Sequence, residues 1–122
     1  MQIHFKGTNY ELPANVSALA KRKVDGLAKY LGKGKENARA YVDLGKETEA
    51  HQNGAIWRAD INFDIDGSRF YAKAVEDSIE KAIDRSVSEL AKELQTARKR
   101  EQSLARKGGS LIKSLMRRGL TS

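Results

Sequence analysis

Cysteine is absent from this chain, which removes disulfides, thiolate metal sites and cysteine nucleophiles together. Only two histidines occur, His4 and His51. They lie far apart and lack a surrounding ligand cluster, so neither a metal site nor a histidine-based active site is expected. No apolar run approaches the ~18 residues of a membrane helix, and the opening Met1-Gln2-Ile3-His4 has no signal-peptide core. Internal repeats and low-complexity runs are missing too. These absences predict a soluble, cytoplasmic protein, and no cofactor is expected.

What the chain does have is unevenly placed charge. Its 122 residues suit one domain with a modest core. Residues 1–97 hold 15 Lys/Arg against 15 Asp/Glu, whereas residues 98–122 hold 8 Lys/Arg against the single acid Glu101. The formal charge of +7 therefore comes from one end. A neutral body with a cationic end favours nucleic acid through counterion release, or an anionic membrane surface. The plain alternative is a solvated tail that only aids solubility.

Hydrophobic periodicity predicts β-α-β-β-β-α. Ile3 and Phe5 alternate with polar residues in an opening strand. A helix is predicted from Val16 to Leu31, with Asn15 as N-cap and Gly32 as stop. A strand over Arg39–Glu47 turns Ala40, Val42 and Leu44 one way. After a polar turn around His51-Gln52-Asn53-Gly54, Trp57, Ala59, Ile61, Phe63 and Ile65 alternate with Arg58, Asp60, Asn62 and Asp64. Asp66-Gly67 signals a type I′ hairpin into a strand with Phe70, Ala72 and Ala74 on its apolar side. One apolar and one polar sheet face imply an α+β two-layer sandwich: a four-stranded sheet with two helices packed on one face. Residues 1–107 form the expected domain. Residues 108–122 are a basic amphipathic tail beyond the Gly108-Gly109 hinge, with Leu111, Ile112, Leu115 and Met116 at helical spacing.

The last helix, from Ser78 to about Lys107, carries the sharpest functional signal. Ile79, Ile83, Val87, Leu90 and Leu94 share one side at ~100° per residue. Lys81, Arg85, Lys92, Lys99 and Arg106 form a column on the other side. Such a helix suits a polyanion, its cations meeting phosphates that position without reading sequence. Glu80, Asp84, Glu89 and Glu93 flank the column and could pair with it at i,i+4, which would make it an ordinary solvated face. Lys21, Arg22, Lys23 and Lys29 raise the same question on the first helix, and Arg98 and Arg100 extend the cationic set.

Other residues read as structural. Trp57 and Phe63 belong to the core. Tyr41 and Tyr71 lie on the polar sheet face, where stacking on bases competes with ordinary cross-strand packing, the simpler reading. Asp60, Asp64 and Asp66 are expected to be solubilising residues rather than ion ligands. Gly32-Lys33-Gly34-Lys35 lacks Walker spacing and follows a helix, so it is not read as a phosphate loop.

The opening Met1-Gln2-Ile3-x-x-x-Gly7-x-Asn9-x-Glu11-Leu12 resembles the ribosome hibernation-promoting factor family, which includes ribosome-associated inhibitor A. The likeness continues through Lys23, Leu27 and Tyr30, and returns in Ala72-x-Ala74, Ala82-Ile83-Asp84, Leu90, Lys92, Leu94 and Arg98. It spans roughly residues 1 to 100. The resemblance implies a non-enzymatic protein in the mRNA/tRNA cleft of the small ribosomal subunit, touching ribosomal RNA through basic helix surfaces and silencing idle ribosomes. On matching positions, Lys23, Lys92 and Arg98 carry that contact. Ser78-Ile79-Glu80 departs from the family's usual Asp-Met-Tyr, and Glu89 and Gly26 replace family lysines, which thins the inherited contact set. The residues after Lys107 are too few for the dimerisation domain of long members, so the resemblance implies a short form.

The resulting expectation is a translation inhibitor that stores idle ribosomes. Its partners would be small-subunit RNA and ribosomal proteins, it would be a monomer when free, and it would need no metal or membrane. A general double-stranded nucleic-acid module is the first alternative. A membrane-surface or protein adaptor acting through residues 108–122 is the second.

Overall fold

The computed structural model describes residues 1–47 and 56–106. They form β1 (Gln2–Thr8), α1 (Ala14–Asp25), 3₁₀ turns at Gly26–Tyr30 and Gly32–Asn37, β2 (Arg39–Lys46), β3 (Trp57–Ile65), β4 (Ser68–Glu76) and α2 (Ile79–Arg106). The sheet order is β1-β2-β3-β4. β1 and β2 are parallel and joined through α1, as a parallel pair requires a crossover; the other two pairings are antiparallel. The expected α+β arrangement is the observed one. The polar turn around Gly54 and the segment 108–122 lie outside the described residues.

The first helix differs from expectation at both ends. Asn15 lies inside α1 rather than capping it. Pro13 holds the N-cap position in an extended conformation, and its carbonyl accepts from the Val16 and Ser17 amides at 3.1 Å. A ring without an N–H fits where no donor is needed. The α-helix ends at Asp25, and the chain tightens into 3₁₀ geometry through Gly26, a poor α-helix former. Leu27 and Leu31 still reach the core. Gly32 does end this run: its φ of +56° is the left-handed turn that glycine adopts without steric cost.

Between β3 and β4, Asp66 and Gly67 have φ of 48° and 86°, the two positive values of a type I′ turn. That turn sets the register pairing Phe63 with Phe70, Ile61 with Ala72 and Ala59 with Ala74. The small Ala59, Ala72 and Ala74 and the bulky Ile61 and Phe63 are all buried. α2 lies over β3 and β4 and also contacts α1. Its Ala82, Ile83, Ser86 and Leu90 are fully buried. The hydroxyl of Ser86 donates to the Ile83 carbonyl at 3.0 Å, which makes a polar group tolerable there. Trp57 is a half-buried rim residue, meeting Tyr10 edge-on with ring centroids 5.0 Å apart.

The sheet's other face is polar, and Asp60 corrects the expectation for it. Asp60 is buried rather than solubilising. It contacts Arg58 and accepts from the Tyr71 hydroxyl at 2.7 Å. Arg58 also lies 3.7 Å from Asp43 and 3.9 Å from Glu47. Thr8 donates to Asp43 at 2.7 Å, so β1 to β4 are cross-linked on the polar side. Asp64 is half-buried, while Asp66 sits exposed in the turn, 3.4 Å from the Asn37 amide.

Candidate nucleic-acid interface on the helical layer

On α2 the buried Ile83, Leu90 and Leu94 fix the opposite side outward. Lys81, Arg85, Lys92 and Lys99 are all exposed there. Lys81 and Lys99 are eighteen residues apart, about 27 Å along the axis. The Ser78 hydroxyl accepts from the Lys81 amide at 3.2 Å, supplying the N-cap. The side chain of Arg106 lies outside the described set.

The column is not uniform. Lys81 pairs with Asp77 at 3.0 Å. Arg85 pairs with Glu76 at 2.7 Å and Glu89 at 3.4 Å; its hydrogen bond to Glu76, then the charge of that carboxylate, holds the guanidinium still more firmly protonated. Lys92 and Lys99 have no carboxylate within 4.0 Å among the described residues. The available positive charge therefore collects toward the C-terminal half of α2, beside exposed Arg100. Spacing pointed to Glu89 as a partner. Asp77 and Glu76 were missed because they precede the helix, although Asp77 stands at i,i+4 from Lys81.

The cations of the first helical region also divide. Lys21 pairs with Asp25 at 2.9 Å along α1, and Arg22 is exposed. Lys29 lies 5.2 Å from the centroid of the Tyr30 ring, a cation–π contact. Lys23 and Arg98 play a different part. The Lys23 ammonium meets Asp84 of α2 at 2.6 Å, and the Arg98 guanidinium donates to the Lys29 carbonyl at 2.9 Å. Both tie the first helical region to α2, at points about 21 Å apart along that helix. Lys92 is presented between the two ties. The layer thus offers one surface built from both helices.

These exposed pairs are weak obstacles to a polyanion, because solvent-exposed ion pairs contribute little and are screened by salt. Phosphates can displace Asp77 from Lys81 at small cost. Among the described residues, no three His, Asp or Glu side chains converge as a metal site, and no helix is long and apolar enough to cross a membrane.

The model of the family described as Sigma 54 modulation protein / S30EA ribosomal protein matches residues 3–102. The chain belongs to that family, and the resemblance read from its co-linear residues is confirmed. The N-terminal domain of Protein Y from Thermus thermophilus is similar in structure, with a TM-score of 0.67 and 24% identity. The match covers 79% of this chain and 98% of that one. A ribosomal subunit interface protein from Coxiella burnetii gives a TM-score of 0.62 at 17% identity, over 80% and 97% of the two chains. At such identities the likeness concerns the fold. No curated protein matches the sequence.

Proposed function

We propose that this protein binds the small ribosomal subunit and holds idle ribosomes inactive by occupying the cleft that mRNA and tRNA would use. The observation that carries the reading is family membership over residues 3–102. The outward cations of the helical layer supply a physical means. Lys92, Lys99 and Arg100 meet phosphates first, with Lys81 and Arg85 exchanging carboxylate partners for RNA. Arg22, Lys21 and Lys29 extend the contact from the first helical region. Lys23 and Arg98 position the two helices and, being at least partly exposed, add charge at the seam. Arg106 and the cations after it lengthen the electrostatic footprint.

The action is steric and electrostatic, with no bond made or broken. Phosphate contacts fix placement, while a folded RNA is recognised by its shape. Inhibition then follows from excluded volume.

The test is co-sedimentation with isolated small subunits followed by an in-vitro translation assay. The protein should pellet with the subunits at moderate salt and lower translation in proportion to occupancy. Failure of both would remove the ribosomal reading. Comparable affinity for arbitrary RNA duplexes and for ribosomes would instead favour a general duplex-binding module.

A further inference from the structure

The helical layer leaves the opposite face of the sheet unused, and a row of rings crosses it. Register places His4 beside Tyr41, Tyr41 beside Asn62, and Asn62 beside Tyr71. The His4 and Tyr41 rings stack with centroids 5.2 Å apart and planes at 13°. Tyr41 is 44% exposed and Tyr71 50%, so cross-strand packing does not consume them. Asn62 is exposed between them, an amide that can both donate and accept. Tyr41 and Tyr71 stand two strands apart, about 10 Å.

The surrounding charges discriminate between partners. Asp60, Asp43 and Glu47 are engaged by Arg58, Tyr71, Thr8 and Lys73. The flanking rows expose Lys6 on one side and Arg39 and Arg69 on the other. Among the described residues none of these three has a carboxylate within 4.0 Å. Asp64 sits between Arg39 and Arg69 in register, and Glu36 and Asp66 line the same depression as Arg39 and Asp64, so cations and carboxylates alternate at that end while Lys6 stands at the other. Exposed rings with cations on both sides match bases joined by phosphates. An apolar protein surface would leave those cations without partners.

We propose that the polar sheet face binds unpaired RNA. Bases stack on the His4–Tyr41 pair and on Tyr71, Asn62 bonds a base edge, and Lys6, Arg39 and Arg69 meet the phosphates. The inference deepens the ribosomal reading by giving the domain a second RNA surface, for single strands, on the side away from the helices. Its aromatic platform tolerates any base sequence, since every base has a π-face.

The test uses the full chain and a labelled twelve-nucleotide oligo(U), followed by fluorescence anisotropy, beside an RNA hairpin duplex and small subunits. Tyr41→Leu combined with Tyr71→Leu should weaken oligo(U) binding about 30-fold or more and leave duplex affinity unchanged. Lys92→Gln with Lys99→Gln should do the reverse. Tyr41→Leu alone covers the case in which the double variant misfolds, because Tyr71 then keeps its bond to Asp60. It should still lose about fivefold or more. Tyr71→Phe, which keeps the ring, should retain binding. No oligo(U) binding by the wild type, or equal affinity in the aromatic variants, overturns the inference. A protein that pellets with subunits but ignores oligo(U) sinks this proposal alone. Ring-dependent oligo(U) binding without pelleting supports it and removes the ribosomal reading instead.

Discussion

Arg58 faces Asp43, Glu47 and Asp60 with only 15% of its side chain exposed. Removing it would take the shared cation from Asp43, Glu47 and the buried Asp60 on the polar sheet face. Arg58→Ala should cost about 2–4 kcal/mol, read as a lowered urea midpoint at unchanged slope. A loss below about 0.5 kcal/mol would place the cluster among solvent-screened surface pairs. Tyr71 tests the same network from its other end. The hydrogen bond to Asp60, with burial and the Asp60 charge behind it and Arg58 opposing, pushes its hydroxyl up to about 12 from an ordinary 10.0. The fold favours the neutral phenol, so its stabilisation is complete below pH 10 and lost as pH rises toward 12. Tyr71→Phe should flatten that part of the stability curve, and the tyrosinate absorbance should lose its latest-titrating component. Alternation along β3 placed Asp60 on the polar side, yet it could not foresee burial. Burial arises from Arg58 on its own strand and Tyr71 on the next, a neighbourhood that exists only once register is set.

At the level of elements, periods of two and of ~3.6 residues were long enough to reveal β3 and α2 from their residues alone. The Asp66-Gly67 turn was equally plain, because type I′ geometry demands positive φ at both positions. Where signals are local and competing, the structure departs from them. Asn15 looked like a cap, but Pro13 starts the helix through its carbonyl, and Gly26 diverts the end of α1 into 3₁₀ geometry without disturbing the Leu27 and Leu31 spacing. The cationic column was visible from spacing, whereas its partition required the carboxylates at the β4–α2 junction. That partition is measurable. Lys92→Gln with Lys99→Gln should reduce the magnitude of the log-affinity versus log-salt slope by about 1.4–1.8 for two lost phosphate contacts. Lys81→Gln with Arg85→Gln should reduce it less, since binding there already exchanges one anion for another. Equal effects from the two pairs would mean that the Asp77, Glu76 and Glu89 contacts do not persist in solution. The helix's inward side has its own check: Leu90→Ala should lower stability by about 2–5 kcal/mol without changing the salt slope of the folded protein.

For the whole molecule, charge separates what places the domain from what adds pull. Residues 1–106 hold 19 Lys/Arg against 16 Asp/Glu, and residues 107–122 add Lys107, Lys113, Arg117 and Arg118 with no acid. The end therefore contributes more net charge than the entire body. A polyanion held mainly by placement on the helical layer would keep its site when that end is removed, while a polyanion held by unspecific attraction would not. Ending the chain after Arg106 should accordingly reduce the salt slope by about 3 and weaken subunit binding at every salt concentration. It should leave competition between ribosomes and arbitrary duplexes unchanged. Loss of that preference along with the affinity would move recognition from the folded body to the tail. Retention of the full slope would mean that the tail's cations meet no phosphate. Vesicles rich in anionic lipid complete the comparison: if the full chain binds them and the shortened one does not, while both still pellet with subunits, residues 107–122 serve a membrane surface and the helices alone serve RNA.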